Sequence, residues 1–237
     1  MKLFVDTPEN IARAAAKKYI TLLREKPDAV LGFATGSTPL TLYNELARLY
    51  KTGEISFKQA KTFNLDEYAG MKGIEEQSYR RFMDENLFSK IDIARSNTHV
   101  PSGMDIDAAP LYDEAIEAAG GIDLQLLGIG NDGHIGFNEP GTPFGSKTHH
   151  VKLTEMTREA NKRFFSSVDE VPTHAITMGI KTVMNAKKII FIALGEDKAD
   201  IVKQAFLGEV TPEVPASVLQ LHPFVEVYLD KSAAKKL

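Results

Sequence analysis

The stretch Ala29-Val-Leu-Gly-Phe-Ala-Thr-Gly-Ser-Thr-Pro39 decides how this chain is built. Ala29 to Ala34 is a short continuous apolar run, the pattern of a strand buried on both faces. It breaks at Thr35-Gly36-Ser37-Thr38-Pro39, after which Leu42, Leu46 and Leu49 recur at helical spacing as far as Gly53. Strand, glycine turn and helix in that order form the repeating unit of a parallel sheet covered by helices.

The unit recurs outward in both directions. Leu3 to Val5 reads as a strand, with Thr7 as N-cap and Pro8 opening a helix that fades near Lys26-Pro27. Downstream, Thr62–Leu65, Asp123–Ile129, Lys188–Leu194 and Phe224–Leu229 read as strands. Ser78–Phe88, Asp107–Ala119 and Glu196–Phe206 read as helices, as does Thr157–Phe165 with Ala160 and Phe164 toward the core. The expected fold is α/β, a three-layer αβα sandwich with a Rossmann-like, largely parallel sheet, formed as one domain over residues 1–237. Such sheets bind ligands at the carboxyl ends of their strands. Four polar, glycine-containing segments fall there: Thr35–Pro39, Asp66–Gly70 read as a loop, Gly130–Gly141 and Gly195–Lys198.

Composition narrows the function. The chain is 43% hydrophobic and 25% charged with a net charge of -4, and no long basic run offers a surface to nucleic acid. It has no cysteine, which removes disulfides, thiolate nucleophiles and thiolate-ligated zinc. Met1-Lys-Leu-Phe-Val5 breaks at Asp6-Thr7-Pro8 without the pattern of a secretory leader, and no run reaches the roughly 18 apolar residues of a membrane span. A cytoplasmic enzyme is expected, with no membrane or nucleic-acid partner.

Each polar segment has a chemical reading and a plainer one. Thr35, Gly36, Ser37 and Thr38 place backbone N–H groups and hydroxyls at a helix N-terminus, a site for phosphate or simply a capped turn. The Gly-Lys-Ser/Thr element of a nucleotide loop is absent. Lys198, a cation in a helix's first turn, opposes the dipole and invites an anion. Arg158 or Arg163 could clamp a phosphate or lie on an exposed face. Asp66, at a strand end, could abstract a carbon-bound proton beside a carbonyl if burial raised its pKa. Gly128-Ile-Gly130-Asn-Asp-Gly133 has the spacing of a dinucleotide fingerprint. The following His134-Ile-Gly-Phe-Asn-Glu-Pro-Gly141 leaves no room for the required helix. That loop instead gathers Asp132, His134, Asn138 and Glu139, an imidazole between carboxylates suited to proton transfer, or alternatively to a metal. His149 and His150 are adjacent and point to opposite faces if extended.

Gly36-Ser-Thr-Pro39, Phe63-Asn-Leu-Asp-Glu-Tyr68, Gly128-Ile-Gly-Asn-Asp-Gly-His-Ile-Gly-Phe-Asn-Glu-Pro140 and Leu194-Gly-Glu-Asp-Lys198 together resemble the glucosamine-6-phosphate deaminases. Arg158 to Phe165 and Leu219-Gln-Leu-His-Pro223 are also similar to that family. The resemblance implies conversion of glucosamine 6-phosphate and water to fructose 6-phosphate and ammonium through an enolamine, without cofactor or metal. It makes His134 the ring-opening acid-base, with Asp132 and Glu139 orienting it and Asp66 the base for the C2 proton. Ser37, Thr38, Arg163 and Lys198 match the phosphate positions, and Gly36 allows close backbone approach. Members activated by N-acetylglucosamine 6-phosphate are hexamers with a basic pocket after the Asn-Glu-Pro loop. Here Lys147-Thr-His-His-Val-Lys152 places charge differently, and the C-terminal extension of those members is missing. A short, non-allosteric form is implied, as a monomer or a small homo-oligomer. The alternatives are a 6-phosphogluconolactonase-type hydrolase, which shares the Gly-x-Gly-x-Asp-Gly-His element, and a non-catalytic sugar-phosphate sensor.

Overall fold

The computed structural model describes residues 1–237 except the side chain of Ile106. It opens with β1 (Lys2–Val5) and α1 (Pro8–Glu25). Thr7 caps α1 by accepting from the Asn10 N–H at 3.4 Å, while the Asn10 side chain donates back to Asp6 at 2.9 Å. β2 (Val30–Phe33) and α2 (Leu40–Lys51) form the deciding unit, and β3 (Lys61–Asn64) is followed at once by β4 (Asp66–Tyr68). Then come α3 (Tyr79–Asn86), a short β5 (Thr98–His99), α4 (Ala109–Ala118) and β6 (Leu124–Leu127). The remainder runs β7 (His149–Lys152), α5 (Glu155–Asn161), β8 (His174–Thr177), α6 (Ile180–Met184), β9 (Ile189–Ala193), α7 (Ala199–Leu207) and β10 (Val225–Leu229).

Seven strands form one sheet in the order β1-β10-β9-β6-β2-β3-β5, and every pairing in it is parallel. Phe33 faces α1 and α2, stacking on Tyr19 at 5.9 Å and meeting Tyr43 edge-on at 5.5 Å. The opposite face carries Phe63 and Phe191. They meet Tyr112 of α4 at 5.6 Å and Phe206 of α7 at 4.9 Å. The expected three-layer αβα sandwich is thus present. The chain leaves β2 toward β3 and β5, then returns on the other side of β2 as β6, and this reversal opens a crevice at the strand ends. The four polar segments follow β2, β3, β6 and β9, which are neighbours in the sheet.

Three local expectations differ from the structure. Asp66–Tyr68 is a strand, not a loop: it pairs antiparallel with β8, which pairs with β7 in a second, three-stranded sheet. So short a strand, with a partner more than 100 residues away, carries no periodicity to read. Leu65 joins the two sheets, donating to the Phe33 carbonyl at 3.0 Å and accepting from the Met178 N–H at 2.6 Å. In Thr157–Phe165, α5 stops at Asn161 and a 3-10 turn follows, so Ala160 and Phe164 are exposed and Thr157 takes the buried position. Lys198 ends a 3-10 turn that precedes α7.

Gly32 has a steric reason in the middle of β2. A Cβ there would lie 1.9 Å from Oε1 of the buried Gln125, whose Nε2 donates to the Leu126 carbonyl at 2.8 Å. Gly32→Ala is expected to cost about 1–3 kcal/mol in urea denaturation, and adding Gln125→Ala should recover part of the loss. Equal stability of Gly32→Ala and the parent would show that Gln125 is free to move aside.

Candidate active site

The turn after β2 supplies the first wall. Gly36 adopts φ 99°, and no side chain caps α2. The Ser37 and Thr38 hydroxyls have no hydrogen-bond partner among the described residues. Thr35 meets the Tyr79 hydroxyl. A turn with uncommitted hydroxyls at a helix N-terminus suits an anion.

Two cations come from other elements. The Lys198 ammonium contacts Asn131 Oδ1 and lies 3.7 Å from Asp197. Burial pushes its pKa down and the nearby Arg163 charge adds to the effect, against Asp197 and Asp132. Arg163 lies with its guanidinium 4.7 Å above the Phe164 ring. The structure separates the two arginines of this segment. Arg158 donates to the carbonyls of Val168 at 2.8 Å and Val171 at 3.2 Å and so anchors the chain after α5.

The loop after β6 holds the imidazole. His134 Nδ1 lies 2.7 Å from Asp132 Oδ1, oblique to the ring N–H axis, and 3.9 Å from Glu139 Oε2. The His134 backbone N–H also donates to Asp132 at 3.1 Å. Burial pushes the Asp132 carboxyl up, but contact with His134 outweighs it and holds the pKa at about 2. Glu139 is fixed from behind by Thr154, which donates through its N–H at 3.3 Å and its hydroxyl at 3.4 Å. Gly130 makes room for the ring, since a Cβ there would lie 2.1 Å from His134 Cε1. The Asn138 amide donates to the Ile135 carbonyl at 2.8 Å and the Met178 carbonyl at 2.9 Å, a structural staple. Asp132, His134 and Glu139 also bring potential ligand atoms within 4.8 Å of one another, a donor set that a divalent cation could use.

Asp66 lies in a different environment. It is 5% exposed, and its carboxyl makes no hydrogen bond among the described residues. Burial, reinforced by the adjacent Glu67, raises its pKa to about 8. Glu67 instead faces α3, where it accepts from Ser78, Tyr79 and Arg80. Two adjacent acids therefore serve opposite purposes, which the sequence left unresolved. Gly136, at φ 60°, brings the His134 loop to Asp66: a Cβ there would lie 3.5 Å from Asp66 Oδ2 and 2.8 Å from Thr177 Oγ1. Thr177 Oγ1 also accepts from the Phe137 N–H at 3.0 Å. Tyr68, Tyr79, Phe137 and Phe165 wall the place, with Tyr79 stacked on Phe137 at 5.9 Å.

All ten expected positions, Thr35, Gly36, Ser37, Thr38, Asp66, Asp132, His134, Glu139, Arg163 and Lys198, lie on segments that follow the strand ends or on the chain after α5. Asn131, Gly136, Thr154 and Thr177 escaped the sequence reading because each acts through a partner distant in the chain. His149 and His150 do not act together: His149 Nδ1 lies 2.8 Å from the Lys147 carbonyl and His150 stacks on His174 at 4.8 Å.

Residues 6–227 match the family described as glucosamine-6-phosphate isomerases/6-phosphogluconolactonase. The chain belongs to this family. It is 51% identical over 228 residues to glucosamine-6-phosphate deaminase of Bacillus pumilus, covering 95% of each chain. It is 48% identical to the Clostridium botulinum (strain Kyoto) protein of the same name, covering 99% of this chain and 98% of that one. A solved monomeric glucosamine-6-phosphate deaminase superposes with a TM-score of 0.97 at 44% identity over the full length of both chains. A 6-phosphogluconolactonase of Trypanosoma brucei, at 20% identity and TM-score 0.76 over 100% of this chain and 98% of that one, shares the fold.

The raised Asp66 pKa has a consequence for stability. Its folded value of about 8 lies above an unfolded value of about 3.9, so the penalty is absent below about pH 4 and grows until about pH 8. Asp66→Asn is expected to be more stable than the parent above pH 8, on the order of a few kcal/mol, and equal to it near pH 4. Urea denaturation at both ends reads this, and no gain at alkaline pH would refute the burial of an unpartnered carboxyl.

Proposed function

We propose that this chain opens glucosamine 6-phosphate, isomerises it and deaminates it, giving fructose 6-phosphate and ammonium. The observation that carries the reading is that Gly136 brings the loop carrying Asp132 and His134 up to Asp66, so that two carboxyls of opposite proton affinity serve one crevice. Such a division assigns one site to electrostatic support and the other to proton transfer.

In this mechanism His134, oriented by Asp132 and Glu139, moves the proton between the O1 hydroxyl and the ring oxygen, so that the pyranose opens to the C1 aldehyde. Asp66 removes the C2 proton, and the electron pair passes to the carbonyl oxygen to form the enolamine. Protonation at C1 gives a C2 iminium, water adds there, and ammonia leaves. Desolvation makes Asp66 a strong base once ionised. The Thr35–Thr38 turn, Lys198 and Arg163 hold the phosphate, and Asn131 steers Lys198 toward it.

The 51% identity to a named deaminase supports this reading over a lactonase, which needs no acceptor for a C2 proton. The full-length likeness to a monomeric deaminase supports a monomer. No helix among the described residues is long and apolar enough to cross a membrane. We propose that the enzyme is cytoplasmic and that residues 1–237 act as one unit, as the sequence patterning leads one to expect.

Ammonium release from glucosamine 6-phosphate tests the assignment. Asp66→Asn should lower kcat by about 100-fold or more while leaving substrate binding within a few-fold. Retained turnover in that variant would return the C2 proton to another base. Lys198→Ala and Arg163→Ala should each raise KM by about tenfold or more, with a smaller effect on kcat. Unchanged KM in both would remove the phosphate from this corner.

A further inference from the structure

Glu67 is a carboxylate that the deamination steps leave without a task. It is 2% exposed and accepts four hydrogen bonds. The Ser78 hydroxyl donates at 2.6 Å, and the backbone N–H groups of Tyr68, Tyr79 and Arg80 donate at 2.9, 3.0 and 3.0 Å. Tyr79 and Arg80 are the first residues of α3, so Glu67 seals that helix terminus together with the N-cap Ser78. Being next to Asp66 on β4, it points to the other side of the strand, and whatever fixes Glu67 fixes the direction of Asp66.

The surroundings of Asp66 contain no counter-charge. Tyr43 of α2, Tyr68 of β4, Tyr79 of α3 and Tyr112 of α4 all sense its charge, and each is a neutral phenol. Glu67 is the ionisable acid beside it. Of the two carboxyls only Glu67 is met by donors, so it ionises first and leaves Asp66 holding its proton.

We propose that Glu67 is a positioning residue for Asp66: clamped onto the N-terminus of α3, it aims the Asp66 carboxyl into the crevice, and its charge sets how tightly Asp66 keeps its proton. This rests on the reading of Asp66 as the base for the C2 proton. Glu67 thereby tunes the pH at which the enzyme turns on, without touching substrate.

Glu67→Gln keeps the side-chain shape and removes the charge. The acid limb of kcat/KM against pH for ammonium release is expected to move to lower pH by about one unit. A merely structural role would lower activity at every pH and leave the limb in place, and that result would overturn the proposal. Ser78→Ala keeps the carboxylate but removes a donor that neutralises part of its charge; it should move the limb slightly to higher pH, and it carries the test if Glu67→Gln does not fold. An unmoved limb in Ser78→Ala would then overturn the proposal. A readout independent of turnover is the alkaline stability gained by Asp66→Asn, which should shrink in a Glu67→Gln background. If it shrinks while no ammonium is released by the parent, the coupling stands and the deaminase reading falls. If the gain is undiminished in that background, the coupling falls.

Discussion

At Gly136 the backbone passes where no side chain fits, between the Asp66 carboxyl and the Thr177 hydroxyl. That close approach joins three things. It seats the His134 loop on the second sheet through the bond from the Phe137 N–H to Thr177, and it covers Asp66. It also brings the loop that carries His134 up to the Asp66 carboxyl. The second sheet exists to make this meeting possible: β4 carries Asp66 out of the main sheet, and β8 returns Thr177 beside it.

The site divides its electrostatics by what each carboxylate is given. Asp132 has an imidazole against it and stays ionised, whereas Asp66 has four phenols and another acid around it and resists ionisation. Arg163 is close enough to Lys198 to disfavour its charge, a repulsion that an anion bound between them would relieve. The buried Asp66 costs folding stability above about pH 4, and the Lys198–Arg163 pair costs it while both are charged, whereas the Asp132–His134 contact adds to it. The parallel core, with Phe33, Phe63 and Phe191 packed against helices on both faces, offsets that cost.

The main sheet was legible because its strands are continuous apolar runs that end in polar, glycine-containing turns, a pattern set by burial on both faces. The segments that carry the site were legible for the same reason, since they interrupt those runs at strand ends. Where the signal was local and short it failed. The three residues of β4, headed by two acids, cannot announce a strand whose partner is β8, and Phe164 reads as a core position until α5 stops three residues earlier.

The sequence alone determined the alternation of strand and helix, the four polar segments at strand ends and their candidate residues, because hydrophobic period and turn chemistry are properties of neighbours in the chain. Tertiary structure decided which acid is left without donors and which is clamped to α3, and which arginine is spent on carbonyls. It also decided that Asn131 holds Lys198 and Thr154 holds Glu139. Those distinctions depend on desolvation and on donors that arrive from distant segments, and a carboxylate has the same letter in the sequence whether water, a helix terminus or a wall of tyrosines surrounds it.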